Sequence, residues 1–146
     1  MSPAPGGERL KAVLDTNVYI AAFTSPKGRS AVLWEAALKN RYRLLVSPAI
    51  VREIATVLRS DFGWPEDRIQ KAIRRVADVA GPGVVTPQAT IQTITSDPDD
   101  NRILECAAEG EADLIVSNDH HLLDLKIWRN IPIVAGADFR RTLGLK

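Results

Sequence analysis

The sequence predicts an α/β fold with a central, mostly parallel β-sheet and helices on both faces. Short apolar segments with the length of buried strands alternate with segments whose apolar residues recur at helical spacing. This alternation is typical of strands that are joined by helical crossovers and lie parallel in one sheet. With 146 residues, 45% of them hydrophobic, the chain can form the core of one domain. We therefore expect a flexible tail over residues 1–10, which is rich in Pro and Gly, and a single domain over residues 11–146.

Four segments are predicted to be strands because each is a short apolar run bounded by polar or turn residues. Residues 112–117 (ADLIVS) have the continuous apolar pattern of a strand buried on both faces. A further extended segment is expected at residues 84–86, after a Gly-Pro-Gly break. The predicted strands are residues 11–16, 41–47, 112–117 and 131–135.

The helices are predicted from the spacing of their apolar residues, and a loop with Pro26 and Gly28 is expected before the first of them. The helix at residues 66–80 has an apolar face opposite a basic face, and basic helix faces either contact nucleic-acid phosphates or are simply solvated. The basic face consists of Arg68, Lys71, Arg74 and Arg75. The predicted helices are residues 30–39, 48–59, 66–80, 98–110 and 137–143, with a short helix after the third strand.

The composition and charge favour a cytoplasmic protein. Cys106 is the single cysteine, so no internal disulfide can form, which is consistent with a reducing compartment. No apolar run reaches the ~18 residues of a membrane span, and the first residues lack the apolar core of a signal peptide. Positive charge dominates residues 1–90 and negative charge dominates residues 91–146, a division that suits a protein holding phosphates in one place and cations in another.

Four acids are expected on one rim of the sheet. Asp15 ends the first strand and Asp119 follows the third, and the carboxyl ends of parallel strands share the edge where α/β proteins bind ligands. Asp100 falls in the first turn of a helix. Glu53 lies on the shoulder of the buried face of the helix at residues 48–59, whereas Arg52 is expected to point away.

Asp97 and Asp99 have a structural interpretation. Ser96-Asp97-Pro98 is typical of a helix start, with Asp97 as N-cap and Pro98 at the first helical position. Acids there satisfy backbone N–H groups and complement the helix dipole. We therefore expect Asp97 and Asp99 to act as caps.

Two histidines follow Asp119 directly. The imidazoles of His120 and His121 could protonate a leaving group during catalysis. Two histidines in an exposed turn usually have no chemical role, and none is expected here.

Four motifs together resemble the PIN domain family: VLDTNV (13–18), VREI (51–54), DPDDNRILECA (97–107) and VSNDHHLL (116–123). They occur in the family's order and on its element types, and the resemblance extends over roughly residues 11–140. It is to the bacterial and archaeal branch of VapC-like ribonucleases, the toxins of toxin–antitoxin systems, and it implies a three-layer α/β/α fold. The site residues that it implies are the acids Asp15, Glu53, Asp100 and Asp119, the polar residues Asn17 and Ser117, and, in this branch, Asp97.

The resemblance implies a metal-dependent ribonuclease that makes endonucleolytic cuts in single-stranded RNA. Asp15, Asp100 and Asp119 would bind the metal directly or through water, and Glu53 would bind it or orient a water. Carboxylate ligands without a Cys/His cluster favour Mg²⁺ or Mn²⁺ over zinc. The partners implied are RNA, a small antitoxin that covers the acidic rim, and a second copy in a homodimer, with no membrane.

Two alternatives to this function stay open. The first is a non-catalytic RNA-binding PIN module, which the presence of all four acids argues against. The second is a phosphatase of the haloacid-dehalogenase kind, which also begins with an aspartate after the first strand. Such a phosphatase needs a second acid two residues later, where this chain has Asn17.

Overall fold

The computed structural model describes residues 9–94 and 97–145, which form a central β-sheet flanked by helices, so the predicted α/β class is confirmed. The strands are β1 (Lys11–Leu14), β2 (Arg43–Leu45), β3 (Leu114–Val116), β4 (Ile127–Trp128) and β5 (Ile131–Val134). The helices are α1 (Thr16–Thr24), α2 (Arg29–Leu38), α3 (Pro48–Ser60), α4 (Glu66–Ala80), α5 (Asp100–Gly110), α6 (His120–Leu123) and α7 (Gly136–Thr142). A 3₁₀ turn at Gly81–Gly83 follows α4.

The strand order, β2-β1-β3-β5-β4, reverses direction at β1. The chain forms β2 on one side of β1 and returns to form β3 on the other, and β1 is parallel to both. Val13 lies opposite Leu45 on one side and Ile115 on the other. Such a reversal opens a crevice at the carboxyl ends of the two strands, where open α/β sheets bind ligands.

Part of the core lies between the sheet and α5, which packs against β1, β2 and β3. Its Ile103, Leu104 and Ala107 are buried, as their helical spacing predicts. The three residues of β3 are buried too, which confirms the prediction of a strand covered on both faces. Each buried Leu or Ile of this kind stabilises the fold by ~1.5–3 kcal/mol relative to an exposed one. This packing fixes the position of the first turn of α5 relative to the strand ends.

Helix α1 lies where the sequence predicts only a loop. Five of its nine residues are buried, and α1 packs against both α2 and α3. A helix covered on several sides has no polar face, so its apolar residues show no helical period in the sequence. Tyr19 and Phe23 of α1 meet Trp34 of α2 with ring centroids 6.1 and 5.3 Å apart.

Helix α5 begins at Asp100 rather than at the predicted Pro98. The N–H of Asp100 donates to the carbonyl of Asp97 at 3.0 Å, an i to i+3 bond that makes the preceding residues a tight turn. The carboxylate of Asp97 accepts the N–H of Asp99 at 3.2 Å, so Asp97 caps this turn rather than the helix as predicted. Asp99 precedes α5 but makes no side-chain capping bond, so its predicted role as a cap is wrong. Ser96, the other residue of the predicted helix start, lies outside the described residues.

Strand β4 is absent from the sequence prediction because it has only two residues. It is antiparallel to β5, with Trp128 opposite Ile131, and the turn between them is formed by Arg129 and Asn130. Both turn residues have positive φ angles, 50° and 64°, as in a tight hairpin turn. The extended segment expected at residues 84–86 is present as a bridge from Val84 to Val46, the residue after β2.

The predicted N-terminal tail falls mostly on residues 1–8, which lie outside the described residues. Arg9 donates to the carbonyl of Asn40 at 2.8 Å, and Leu10 accepts from the N–H of Arg43 at 2.8 Å. None of the helices in the described ranges combines the length and the apolarity that a bilayer-spanning helix needs.

Replacing Gly83 by Ala should destabilise the fold. An added Cβ would lie 2.1 Å from the backbone carbonyl oxygen of Leu44, so the backbone would have to move. The Gly83 carbonyl also accepts the N–H of Val46 at 3.0 Å, and this hydrogen bond would weaken. We expect the free energy of unfolding to fall by ~2–3 kcal/mol, measured by urea denaturation.

The matched control is Gly63→Ala. Gly63 has a positive φ, 61°, and nothing lies within 4 Å of its Cβ position. Only backbone strain of ~1 kcal/mol is expected there. An equal loss in the two variants would contradict the close approach at Gly83.

Candidate metal centre

A cleft with a volume of about 410 Å³ opens at the carboxyl ends of β1 and β3. The acids that line it are Asp15, Glu53, Asp97, Asp99, Asp100 and Asp119, and Asn17, Arg52, Thr56 and Arg102 lie beside them. The fold therefore brings together the four acids that the sequence places on one rim. They come from four separate parts of the chain: the end of β1, helix α3, the start of α5 and the residues after β3.

Ser117 fixes the relative positions of two of these acids. Its hydroxyl donates to Asp15 Oδ2 at 2.8 Å and accepts the backbone N–H of Asp119 at 2.9 Å. Both Ser117 and Asp15 are buried, at 0% and 4% exposed. The N–H of Asp15 also donates to the carbonyl of Val116 at 2.9 Å, so the β1–β3 pairing continues to the floor of the cleft.

The burial of Asp15 changes the pKa of its carboxyl group. Burial raises the pKa of Asp15, the hydrogen bond from Ser117 opposes the increase, and the negative charge of Asp119 adds to it. The backbone N–H groups of Thr16 and Asn17 at the start of α1 act in the same direction as Ser117. The net pKa of Asp15 lies above its usual value.

Asp100 is perturbed more strongly. Burial, together with the charges of Asp15 and Asp119, raises the pKa of Asp100 from 3.8 to about 7. Its Oδ2 atom is buried and has no hydrogen-bond partner within residues 9–94 and 97–145. Buried, mutually repelling oxygens are the donor set that a hard divalent cation requires. The residues present therefore fit Mg²⁺ or Mn²⁺.

Glu53 lies on helix α3 and is also affected by the negative charges of the cleft. Partial burial raises its pKa, and the negative charges of Asp99 and Asp97 raise it further. Its half-buried position agrees with the predicted shoulder of the α3 wheel. Arg52, expected to point away from the fold, is exposed and also lines the cleft.

His121 lies among the acids, although the sequence predicts no role for it. Its Nδ1 atom is 3.3 Å from Asp119 Oδ1 and 3.6 Å from Asp100 Oδ2. Asp97, Asp100 and His121 can each offer one ligand atom, with all three atoms within 4.8 Å of one another. The neighbouring His120 is exposed, as expected, and its ring lies 4.1 Å from that of His121.

A local capping bond explains the orientation of His121. Asp119 precedes α6, and its carboxylate accepts the N–H of His121 at 2.7 Å. The chain therefore forms the short helix that is predicted after the third strand, and this helix begins at His120. An aspartate two residues before a histidine, directly after a buried strand, is the sequence signal that could have indicated this arrangement.

Comparison with known proteins assigns this fold and cleft to a family. Residues 11–121 match the family model of the PIN domain. The chain belongs to the PIN domain family. Its predicted PIN-like architecture is thereby confirmed. An uncharacterized protein of Methanocaldococcus jannaschii, MJ1680, is 29% identical to this PIN domain over 123 residues, which cover 81% of this chain and 76% of that protein.

Two solved structures share the fold of this PIN domain. VapBC2 from Rickettsia felis, crystallised with a DNA fragment from its promoter, gives a TM-score of 0.60 at 13% identity. FitAcB from Neisseria gonorrhoeae gives a TM-score of 0.56 at 12% identity. In both cases the match covers 86% of this chain and 98% of the other.

The basic face of α4 lies apart from the cleft of the PIN domain. Arg68, Lys71, Arg74 and Arg75 are exposed, as predicted, and are not among the residues that line the cleft. The guanidinium carbon of Arg68 lies 3.7 Å from the ring centroid of Trp64, a cation–π contact.

In the absence of divalent ions, Asp100→Asn should raise the free energy of unfolding at neutral and alkaline pH. In the folded wild type Asp100 keeps its proton up to about pH 7, whereas its unfolded value is near 3.8. The folded state then binds more protons than the unfolded state, so wild-type stability falls as the pH rises through this window. Asn carries no charge, so the stability difference should widen as the pH rises, as measured by urea unfolding in EDTA.

The control for this prediction is Asp78→Asn, which removes an exposed carboxylate on α4 outside the cleft. It measures the effect on stability of removing one negative charge from the exposed surface. Parallel curves for the wild type and Asp100→Asn would contradict the perturbed pKa of Asp100.

Proposed function

We propose that this PIN domain is a metal-dependent ribonuclease that cuts single-stranded RNA endonucleolytically, and that it is the toxin of a toxin–antitoxin pair. The observation that carries the proposal is the convergence of Asp15, Glu53, Asp100 and Asp119 on one cleft. Repelling carboxylates destabilise a metal-free fold, so their convergence is accounted for by binding a divalent cation.

Each group of the cleft has a distinct task in this proposal. A bound Mg²⁺ or Mn²⁺ would supply charge neutralisation at the scissile phosphate and activation of a water. Asp15, Asp100 and Asp119 hold the cation through their carboxylate oxygens. Glu53 completes the ligand set or orients the attacking water. Ser117 keeps Asp15 and Asp119 in register with each other.

Two further residues of the cleft have supporting roles in this proposal. Asn17 is exposed in the first turn of α1, where its amide and the helix N-terminus can contact a phosphate oxygen. Asp97 caps the turn before α5 and also lies beside Asp100, so it can add a carboxylate to the metal site.

The toxin role is supported by the family and by one of the two proteins that share the fold. VapBC2 was crystallised with DNA from its own promoter, and the VapC-like branch that this sequence resembles consists of toxins of toxin–antitoxin systems. A small antitoxin would cover the acidic cleft, and an arginine inserted among the carboxylates would pair with them as a planar fork. An RNA substrate and an antitoxin would both be met in the cytoplasm, which is the location that we propose. A homodimer is the assembly that the family suggests.

RNA cleavage by the purified protein should require Mg²⁺ or Mn²⁺ and stop in EDTA. Asp100→Asn and Asp119→Asn should lower the cleavage rate at least ~100-fold, because each removes a ligand charge while keeping side-chain shape. The cleavage rate is measured by gel analysis of an unstructured RNA, and the affinity of the protein for that RNA is measured by fluorescence anisotropy.

The exposed Asp78→Asn variant, purified in the same way, is the control and should cut RNA as fast as the wild type. Cutting that remains in Asp100→Asn reveals contaminating nuclease. Equal cutting in EDTA and in Mg²⁺ would refute the metal mechanism. RNA binding without any cutting in either metal would instead favour the non-catalytic module.

The basic face of α4 should contribute to RNA affinity without sequence preference. Replacing Lys71, Arg74 and Arg75 by Gln leaves the contact between Arg68 and Trp64 intact. If these side chains follow the RNA backbone, the dependence of log affinity on log salt should flatten by up to ~0.7 for each phosphate that the variant no longer neutralises. Anisotropy titrations at several salt concentrations measure the slope.

A triple variant in which the exposed cations Lys27, Lys39 and Lys126, all outside α4, are replaced by Gln controls for the change in net charge. Its salt slope should stay close to that of the wild type. A salt slope of the α4 variant equal to that of the wild type would show that the basic face of α4 is only solvated.

A further inference from the structure

His121 presents a ring nitrogen to the acidic cleft at a distance that suits a shared cation. Ligand atoms bound to one ion at ~2.1 Å lie ~3 Å apart when adjacent and ~4.2 Å apart when opposite. His121 Nδ1 and Asp100 Oδ2 are 3.6 Å apart, inside that range. The ligand atom of Asp97 lies within 4.8 Å of both atoms. A small movement of the Asp97 side chain would allow all three atoms to bind one ion.

Neither of these two atoms makes a hydrogen bond in the described part of the chain, although His121 Nδ1 also lies 3.3 Å from Asp119 Oδ1. Asp100 Oδ2 and His121 Nδ1 are buried and make no hydrogen bond to any described residue, and the Asp100 side chain is 10% exposed. Their separation of 3.6 Å exceeds that of an N–H···O hydrogen bond. A water molecule that bridged the two atoms by hydrogen bonds would hold them ~4.5–5.5 Å apart. The observed separation is too short for such a water. A cation between them satisfies both atoms at once.

Helix α6 holds the ring in this position. The N–H of His121 donates to Asp119 Oδ1 at 2.7 Å, so the backbone of the histidine is tied to an acid of the cleft. The centroid of the His120 ring lies 4.1 Å from that of the His121 ring, so the neighbouring ring limits its movement. The nitrogen donor is therefore positioned before any ion binds.

We infer that the metal centre of this PIN domain is a mixed nitrogen and oxygen site in which His121 binds the ion together with Asp100, and that it selects Mn²⁺ over Mg²⁺. This inference rests on the proposed metal-dependent function and adds the identity of the ion. Mg²⁺ prefers oxygen ligands and retains its waters, whereas first-row transition ions bind imidazole more strongly. Carboxylates alone would accept either ion.

The opposite role for His121 is that of a counter-ion, an imidazolium that neutralises the acids. Removing the ring would then leave the cleft more negative and would strengthen the binding of both ions. If His121 is a ligand, removing it weakens Mn²⁺ binding selectively. The two roles therefore predict changes of opposite sign.

The experiment titrates Mn²⁺ and Mg²⁺ separately into metal-stripped full-length protein by calorimetry. The wild type should bind Mn²⁺ more tightly than Mg²⁺, and His121→Gln should weaken Mn²⁺ binding roughly tenfold or more while changing Mg²⁺ binding much less. His120→Gln is the matched control, because it removes the exposed neighbouring ring and should leave both affinities unchanged.

A second measurement does not depend on the folding of any variant. Pulsed electron paramagnetic resonance of Mn²⁺ bound to wild-type protein should show coupling to a ring nitrogen, and labelling histidine with ¹⁵N should change that coupling. His120→Gln should retain the signal and His121→Gln should lose it.

The outcomes separate this inference from the proposed function. Mn²⁺ binding that Asp100→Asn removes, but that shows no nitrogen coupling and is equal or tighter in His121→Gln, would overturn the role of His121 and leave the nuclease proposal standing. A wild type that binds neither ion would overturn both. Nitrogen coupling with selective loss of Mn²⁺ affinity in His121→Gln supports the inference.

Discussion

The two hydrogen bonds of the Ser117 hydroxyl are the interaction on which the geometry of the cleft depends. The hydroxyl joins the carboxylate of Asp15, at the end of β1, to the backbone of Asp119, beyond the end of β3. Because it is buried, water cannot replace it, and an unpaired group there would be costly. Parallel pairing of the two strands brings the acids to one edge, and this hydroxyl sets their relative positions. The other acids of the cleft then lie beside a pair, Asp15 and Asp119, whose positions are already fixed.

Apart from Glu53, the acids of the cleft lie at or just before the starts of helices, and this accounts for how the fold tolerates their repulsion. Asp15 precedes α1, Asp119 precedes α6, and Asp97 caps the turn that leads into α5. Backbone N–H groups and the positive ends of helix dipoles stabilise anions at such positions. A carboxylate has two oxygens with several acceptor sites, so accepting an N–H with one oxygen leaves the other available. Capping and metal binding are therefore compatible roles of the same side chain.

The sequence predicts what local chemistry determines and misses what packing determines. The buried strand at residues 112–117, the amphipathic helix α4 and the acids beside the strand ends each have a local pattern, and the structure contains all three. Helix α1 has none, because neighbouring elements cover several of its sides, and the two-residue β4 is too short to form a pattern. The position of His121 depends on how a short capped turn directs its second histidine, which the sequence does not show. Arg52 points away from the core, as its helical angle predicts, but a cleft formed by residues distant in sequence lies beside it.

The two edge strands of the sheet limit how copies of this protein can associate through backbone pairing. On one side, the backbone of Val46 beyond β2 is already paired with residues 83 and 85, and on the other, β4 offers only two residues beside a β5 that contains Pro132. Exposed strand edges are the usual templates for runaway intermolecular strand addition. Here neither edge presents a long row of free N–H and C=O groups within the described residues. Fibril-like growth from the native fold is therefore disfavoured, and self-association is left to the helical surfaces, where side chains rather than backbone decide which partner fits.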